Sequence, residues 1–459
     1  MIVNPLPLPD YPRGRYRTVA NTYPGYLGPE RDFRETADPS VLFEDGTYYL
    51  YSSAGMAWTS DDGGVTWGHR RVEPYDVGYA PTVVRHRGRY LLTACQAPIY
   101  ASDSPLGPFE PLGHVDCETV DDWADPMLFE DGGRLFAYWG LGGDGIKGVE
   151  LDPDDPTHAI TPRKVLFAYD HAHEWERFGE HNEDPSQSYI EGPWMLEAGG
   201  RYWLTYCGPG TQFASYAMGT YVGDGPLGPF AYQPGPICQS RHGLIRGAGH
   251  GCLVRGHGGR LWCFYTCGAQ AVHHFERRVG MAPARIEGGR LTVGPVSDLP
   301  LTTGGDLTGL LPANRSKPTS VSSGHDTARH LHDADLRTWW RPADDDPRPT
   351  VTVDLSAGFE AEALRLCWAE PGLDHDAGRP PVAMRYTLEL RHGGGWSTVV
   401  DRRASTADLL IDVQRFAPAP ADALRLTVHD RPPRPIALAD LTLFARPDEA
   451  TPQHQEATP

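Results

Sequence analysis

One short passage of this chain is written twice. Ala37-Asp38-Pro39-Ser40-Val41-Leu42-Phe43-Glu44-Asp45-Gly46 returns as Ala124-Asp125-Pro126-Met127-Leu128-Phe129-Glu130-Asp131-Gly132. Each copy sets an Asp-Pro before an apolar run, then a polar turn, then an aromatic-rich run (Thr47-Tyr48-Tyr49-Leu50-Tyr51 and Arg134-Leu135-Phe136-Ala137-Tyr138). That order is the pattern of a β-hairpin, here with a carboxylate at its mouth. Three looser copies extend it. Tyr79-Ala80-Pro81-Thr82-Val83-Val84 leads into Gly88-Arg89-Tyr90-Leu91-Leu92. Tyr189-Ile190-Glu191-Gly192-Pro193-Trp194 leads into Gly200-Arg201-Tyr202-Trp203-Leu204. Gly249-His250-Gly251-Cys252-Leu253 leads into Gly259-Arg260-Leu261-Trp262-Cys263. Positions 38, 80, 125, 191 and 250 follow one another at about 40 to 65 residues, the length of a four-stranded propeller blade with variable loops. The expectation is a five-bladed β-propeller over residues 1–300, its blade mouths gathered on one axis.

Two further strings fit that reading. Ser104-Pro105-Leu106-Gly107-Pro108-Phe109 is echoed by Gly225-Pro226-Leu227-Gly228-Pro229-Phe230, each at the end of a unit where a turn before an outer strand needs Gly and Pro. Ser60-Asp61-Asp62-Gly63-Gly64-Val65-Thr66-Trp67 fits the Asp-box hairpin S-x-D-x-G-x-T-W of sialidases and many other propellers. It speaks for architecture, not activity: a sialidase would need three arginines and a tyrosine nucleophile at the centre, and these mouths carry acids.

Beyond residue 300 the pattern changes. Residues 301–314 are polar and breaker-rich, as linkers tend to be. Thr350-Val351-Thr352-Val353-Asp354-Leu355, Ala363-Leu364-Arg365-Leu366-Cys367-Trp368, Arg385-Tyr386-Thr387-Leu388-Glu389-Leu390 and Ala423-Leu424-Arg425-Leu426-Thr427-Val428 then alternate apolar and polar. Such strands have one face in a core and one in water. The fold class is therefore all-β, with a β-sandwich over 315–446 and a disordered tail over 447–459.

The 52 glycines and 43 prolines fit turn-dense β architecture, since 10% aromatic residues is too many for a disordered chain. A net charge of -19 excludes nucleic acid and anionic membrane surfaces as partners. No apolar run is long enough to cross a bilayer. Met1-Ile2-Val3-Asn4-Pro5 lacks the design of a signal peptide, so a cytoplasmic location is expected, or secretion if a leader has been removed. The eight cysteines contain no C-x-x-C, and most sit in apolar runs as small hydrophobes. Oligomeric state is not legible.

The chemistry sits at the mouths. Asp38, Asp125 and Glu191 occupy one phase of the repeat. Cleaving a glycosidic bond needs a protonated carboxylic acid to donate to the leaving oxygen and a carboxylate to activate water or attack carbon. A third acid nearby raises the donor's pKa by like-charge repulsion. Asp before Pro is also a common turn starter, but turn chemistry alone does not require three acids in phase.

With these residues in place the chain resembles the family 43 glycoside hydrolases, five-bladed propellers with an inverting mechanism, over roughly residues 30 to 300. The resemblance implies that Asp38 is the general base, Glu191 the general acid and Asp125 the residue that tunes the acid's pKa. His250 falls on the family's blade-five histidine, often associated with a hydrated metal ion such as calcium; its glycine neighbours also suit a hydrogen bonder in a tight turn. The substrate-contacting arginine is Arg277 or Arg278, and Tyr79 at the blade-two mouth joins the substrate contacts. In the loop 171–184, Trp175 and Phe178 are placed to stack on a sugar, unless the loop is simply solvated; its His/Glu alternation lacks the H-E-x-x-H spacing of a zinc site. His332-Asp333-Ala334-Asp335-Leu336-Arg337-Thr338-Trp339-Trp340 followed by Val353-Asp354-Leu355 resembles a discoidin-like jelly roll (the factor V/VIII C type). That family's structural calcium would fall on Asp333, Thr338 and Asp440, although Ala334 replaces the usual glycine. No cofactor is required for the chemistry.

The expected function is an inverting, exo-acting glycosidase on a pentose or furanose residue of a plant or microbial oligo- or polysaccharide, of α-L-arabinofuranosidase or β-xylosidase type. The competing readings are a non-catalytic carbohydrate-binding propeller and another sugar-active propeller, fructosidase-like or galactan-active.

Overall fold

A computed structural model describes residues 1–11, 13–14, 33–53, 56–74, 77–271, 273, 275–372, 382–429 and 435–447. Five antiparallel blades occupy the first part. Blade one is Ser40–Glu44, Thr47–Ser52, Met56–Ser60 and Gly68–Arg71, and blade two Thr82–His86, Arg89–Thr93, Ile99–Ser102 and Glu110–Gly113. Blade three is Met127–Asp131, Arg134–Trp139, Ile146–Leu151 and Lys164–Phe167. Blade four is Ile190–Ala198, Arg201–Gly208, Ala217–Gly223 and Phe230–Tyr232, with short additions Leu141–Gly142 and Cys238–Gln239. Blade five is Gly249–Arg255, Leu261–Gly268, Arg277–Glu287 and Arg290–Val293. The first strands of successive blades adjoin one another, and that of blade five adjoins that of blade one, so the ring closes.

Local chemistry explains the blades. The aromatic-rich second strands bury Tyr48, Tyr138, Trp203 and Trp262 between sheets, where large rings supply most of the packing energy. In the Asp-box, Asp62 accepts from the N–H groups of Val65 and Thr66 and from the Thr66 hydroxyl, and Trp67 packs beneath. The two Pro-Leu-Gly-Pro-Phe turns each lead into an outermost strand.

The C-terminal region is a curled seven-stranded sheet, compatible with the sandwich read from sequence. Two strands expected as separate, 350–355 and 363–368, are halves of one, Thr350–Trp368, bent where Ser356 adopts a φ of 62°. Its partner Ile411–His429 is equally long. The expected linker 301–314 is packed rather than loose. Leu301, Leu310 and Asn314 are buried, the Asn314 amide bonds Leu441 O and Leu443 N, and Leu311–Pro312 already pairs with the last strand, Leu438–Pro447. Of the expected tail, Pro447 ends that strand and 448–459 lie outside the described residues.

One core runs through both regions, joining Ile2, Leu6, Trp58 and Met281 to Trp340, Leu366 and Leu441. At its centre Arg365 is wholly buried. Its guanidinium donates to Asp440 (3.0 Å), to the Asp298 and Asn4 carbonyls (2.8 and 3.0 Å), and to the Asp298 carboxylate (3.2 Å). Removing one member of a buried ion pair strands the other. Arg365→Ala is therefore expected to cost about 3–5 kcal/mol in chemical denaturation; a loss below about 1 kcal/mol would show that this cluster does not hold the two regions together.

Candidate active site

The blade mouths share a strained backbone. Asp38, Ala80 and Asp125 adopt left-handed φ values of 51°, 48° and 46°, and Gly192 takes 60°. Each immediately precedes a proline. Outside glycine this conformation costs roughly 1–2 kcal/mol, and the surroundings hold it in place. The N–H of each non-glycine member donates to a side chain of the preceding blade: Asp38 to Thr266 Oγ1 (2.8 Å), Ala80 to Ser53 Oγ (3.1 Å), Asp125 to Cys95 Sγ (3.1 Å). The true equivalent of Asp38 and Asp125 in blade four is thus Gly192, and Glu191 stands one residue earlier. The reason is steric: a Cβ at position 192 would lie 2.9 Å from the His250 ring.

Four carboxylates and two basic groups meet here. Asp38, 6% exposed, accepts from Ser53 Oγ (2.6 Å) and Arg277 Nη1 (3.0 Å). His250 Nδ1 lies 3.3 Å from Asp38 and 3.5 Å from Asp125, bridging them. Asp125 also accepts from the Cys95 thiol (3.1 Å). Glu191 accepts from the Tyr216 hydroxyl (2.8 Å). The fourth acid is Glu35, whose Oε1 takes Arg277 Nε (2.7 Å) and Nη2 (2.5 Å).

These neighbours divide the protonation states. Burial would raise the Asp38 carboxyl, but Arg277, His250 and the Ser53 hydroxyl outweigh it and hold it below its ordinary value. Asp125 is raised by burial and by Asp38, against the pull of His250. Glu191 is pushed up to about 8, chiefly by burial and then by the charge of Asp125, which outweigh its bond from Tyr216. The site thus keeps one carboxyl ionised and another protonated at neutral pH.

The structure separates the other expected residues. Arg277 faces the acids. Arg278, next along the strand, points to the other side, bonded to Glu276 (2.7 Å) and Arg34 O (2.8 Å), because successive side chains of a strand alternate faces. Tyr79 lines the site, its hydroxyl donating to Glu35 (3.2 Å). Phe178 stands edge-on to Phe213 with ring centres 4.7 Å apart. Trp175 does not present a sugar platform. It is 7% exposed in the core between blades three and four, its Nε1 donating to Tyr232 (2.9 Å), since the 3-10 turn Glu174–Glu176 directs the indole inward. Glu35, Ser53, Cys95 and Tyr216 were missed. The cue for Glu35 was its place three residues before Asp38; Ser53 and Cys95 recur just after second strands; Tyr216 carried no signal.

Among the described residues no group of three or more His, Cys, Asp or Glu is arranged to hold a metal. His250 directs Nδ1 at Asp38 and Asp125, the first of which is also paired with Arg277. Asp440 is bonded to Arg365 and the Thr442 hydroxyl, so a guanidinium supplies its positive charge. Asp333 accepts instead from Thr338 (2.7 Å) and lies 2.9 Å from His330 Nδ1. Ala334 still takes the left-handed conformation, at φ 57°, that glycine would adopt freely.

The family model of glycosyl hydrolases family 43 matches residues 33–290. A solved structure titled glycoside hydrolase superposes with a TM-score of 0.50 over 89% of this chain and 97% of that one, at 17% identity. A thermostable family-43 glycoside hydrolase gives 0.50 over 66% of this chain and 98% of that one, at 21% identity. At such identities these two show the fold. A β-D-galactofuranosidase of Aspergillus niger is 30% identical over 87 residues, 19% of this chain and 26% of that protein, so the chain spans about a quarter of this curated relative.

A carboxyl raised by its folded surroundings has a stability consequence. Between the unfolded value near 4.5 and the folded value of about 8, the native state binds more protons than the unfolded one, so this contribution is present below 4.5 and is lost as pH rises through about 8. Glu191→Gln removes the titration. Its stability relative to the parent is expected to increase from pH 5 to pH 9, by about 1–3 kcal/mol; a pH-independent difference in urea titrations would contradict the placement of Glu191.

Proposed function

The chain belongs to glycosyl hydrolase family 43; on that premise we propose that it is an inverting O-glycosyl hydrolase acting on carbohydrate, with Asp38 its general base, Glu191 its general acid and Asp125 the modulator between them. One observation carries the assignment. Arg277, His250 and the Ser53 hydroxyl all reach Asp38, whereas Glu191, buried beside the charge of Asp125, has a neutral hydroxyl as its donor.

The step follows. Asp38 takes a proton from a water, whose oxygen attacks the anomeric carbon from the face opposite the leaving group. Glu191 gives its proton to the glycosidic oxygen as the carbon–oxygen bond breaks, and the product has inverted configuration. Proton exchange with solvent restores both carboxyls. Asp125, next to Glu191 and tied by Cys95 and His250, keeps the donor protonated until the bond opens.

The glycone we propose is a pentose or furanose removed from a chain end, as by an α-L-arabinofuranosidase or β-xylosidase. The local likeness to a galactofuranosidase supports a five-membered ring. Tyr79 and Phe178 are the aromatic faces proposed to meet the sugar, and Arg277, held between Glu35 and Asp38, is the arginine proposed to reach its hydroxyls.

Two measurements test the assignment. Aryl glycosides of arabinofuranose, xylose, galactose and galactofuranose, with oligosaccharides beside them, are expected to reveal one glycone released with inversion by NMR. Glu191→Gln should lose about 10²–10⁴-fold on the natural substrate and much less on a good aryl leaving group, which needs little acid help; equal losses on both would remove Glu191 as the acid. In the parent enzyme, kcat/KM is expected to fall as pH rises through about 8, where Glu191 deprotonates. It should fall on the acid side only below the ordinary aspartate value near 3.9, because Asp38 is depressed. An alkaline limb near 5 would overturn the acid assignment.

A further inference from the structure

The entry into blade one is an ion-pair chain that reaches from the C-terminal region to the site. Phe33–Arg34 is a two-residue strand whose strand partner is Arg13–Gly14, so side chains must hold it. Arg34 is 3% exposed. Its Nη1 and Nη2 bond both oxygens of Asp408 (2.5 and 2.7 Å), a residue of the C-terminal region, while Nε lies 3.2 Å from Glu370 of the same region. The next residue, Glu35, is 2% exposed and grips Arg277 through two nitrogens. Arg277 then donates to Asp38, and its own carbonyl accepts the N–H of Thr36 (3.2 Å).

We infer that Arg34 and Glu35 are positioning residues, and that Asp408 and Glu370, in connections of the C-terminal region, fix, through Arg34, Glu35 and Arg277, the orientation of the Asp38 carboxylate. The inference rests on the reading of Asp38 as the base. A bidentate guanidinium–carboxylate pair constrains angle as well as distance. Arg34 and Glu35 are adjacent, so a shift of one backbone segment moves both pairs. The C-terminal region is then a working part of the enzyme and not an appendage.

The test uses the full chain. Asp408→Ala is expected to lower kcat about tenfold with KM nearly unchanged, Arg34→Lys to do likewise because it keeps the charge but not the fork, and Glu35→Gln to lose about a hundredfold. The Asp408→Ala, Glu35→Gln pair should lose no more than Glu35→Gln alone, since both act along one route. Arg415→Ala is the control. It breaks a different contact between the regions, to Met1 O (2.9 Å) and Val65 O (3.1 Å), and is expected to lower Tm but not kcat. All variants are compared at a temperature where melting curves show them folded. Full kcat in Asp408→Ala, additive losses in the pair, or an equal kcat loss in Arg415→Ala would each overturn the inference. Asp38→Asn, assayed alongside, separates the two readings: if it is inactive while Asp408→Ala is unaffected, only the relay fails; if it retains activity, the base assignment itself fails.

Discussion

Everything at the centre of this protein depends on one guanidinium held between two acids. The ring brings Asp38, Asp125 and Glu191 to a shared, poorly solvated place, and Glu35 joins them. Uncompensated, such crowding would force several carboxyls to take up protons. Arg277 cancels part of that charge, and its geometry decides where. It faces Glu35 and Asp38, with His250 drawn toward Asp38 and Asp125, so neutralisation is uneven. Glu191, buried and beside the charge of Asp125, is the acid left protonated. An acid–base pair emerges from residues of one chemical type because burial and the neighbouring charges act on them unequally.

The scaffold shows how a repeat yields different chemistry from the same backbone. Four mouths use a left-handed residue before proline, and three clasp its N–H from the blade before. Into that conformation the chain sets Asp, Ala, Asp and Gly. Alanine leaves blade two without a carboxylate, and the glycine of blade four yields its Cβ space to His250. The clasping atom varies too, from hydroxyl to thiol, and Ser53 serves twice by also donating to Asp38. Strain of this kind persists only where the surroundings over-determine it.

The join between the two regions has the character of a core. Arg365 ties the C-terminal sheet to both ends of the propeller segment, at Asn4 and Asp298, while Arg34 reaches a connection of the same region from beside the site. Such buried charges add little net stability against apolar replacements, but they fix register strictly. That suits a site whose acids must keep their separation.

The sequence by itself determined the architecture and the cast. Hairpin strings at blade spacing required a propeller, since the unit can bury its faces only against neighbours like itself; the Asp-box and the Pro-Leu-Gly-Pro-Phe turns mark strand ends through local bonds, and Asp38 and Asp125 stood out by phase, with Glu191 one residue before their equivalent, Gly192. Contacts between distant segments were beyond it. That Arg277 and not Arg278 faces the acids depends on which face of a strand looks inward. That Trp175 is core and not sugar platform depends on the turn beneath it. That 350–355 and 363–368 are one bent strand depends on the sheet that Ile411–His429 completes. Glu35, 242 residues from Arg277, acquires its role only when the ring closes and blade five comes to lie beside blade one. Local pattern fixes what a segment can be; its charge partners are chosen by packing, and packing is decided by the whole chain.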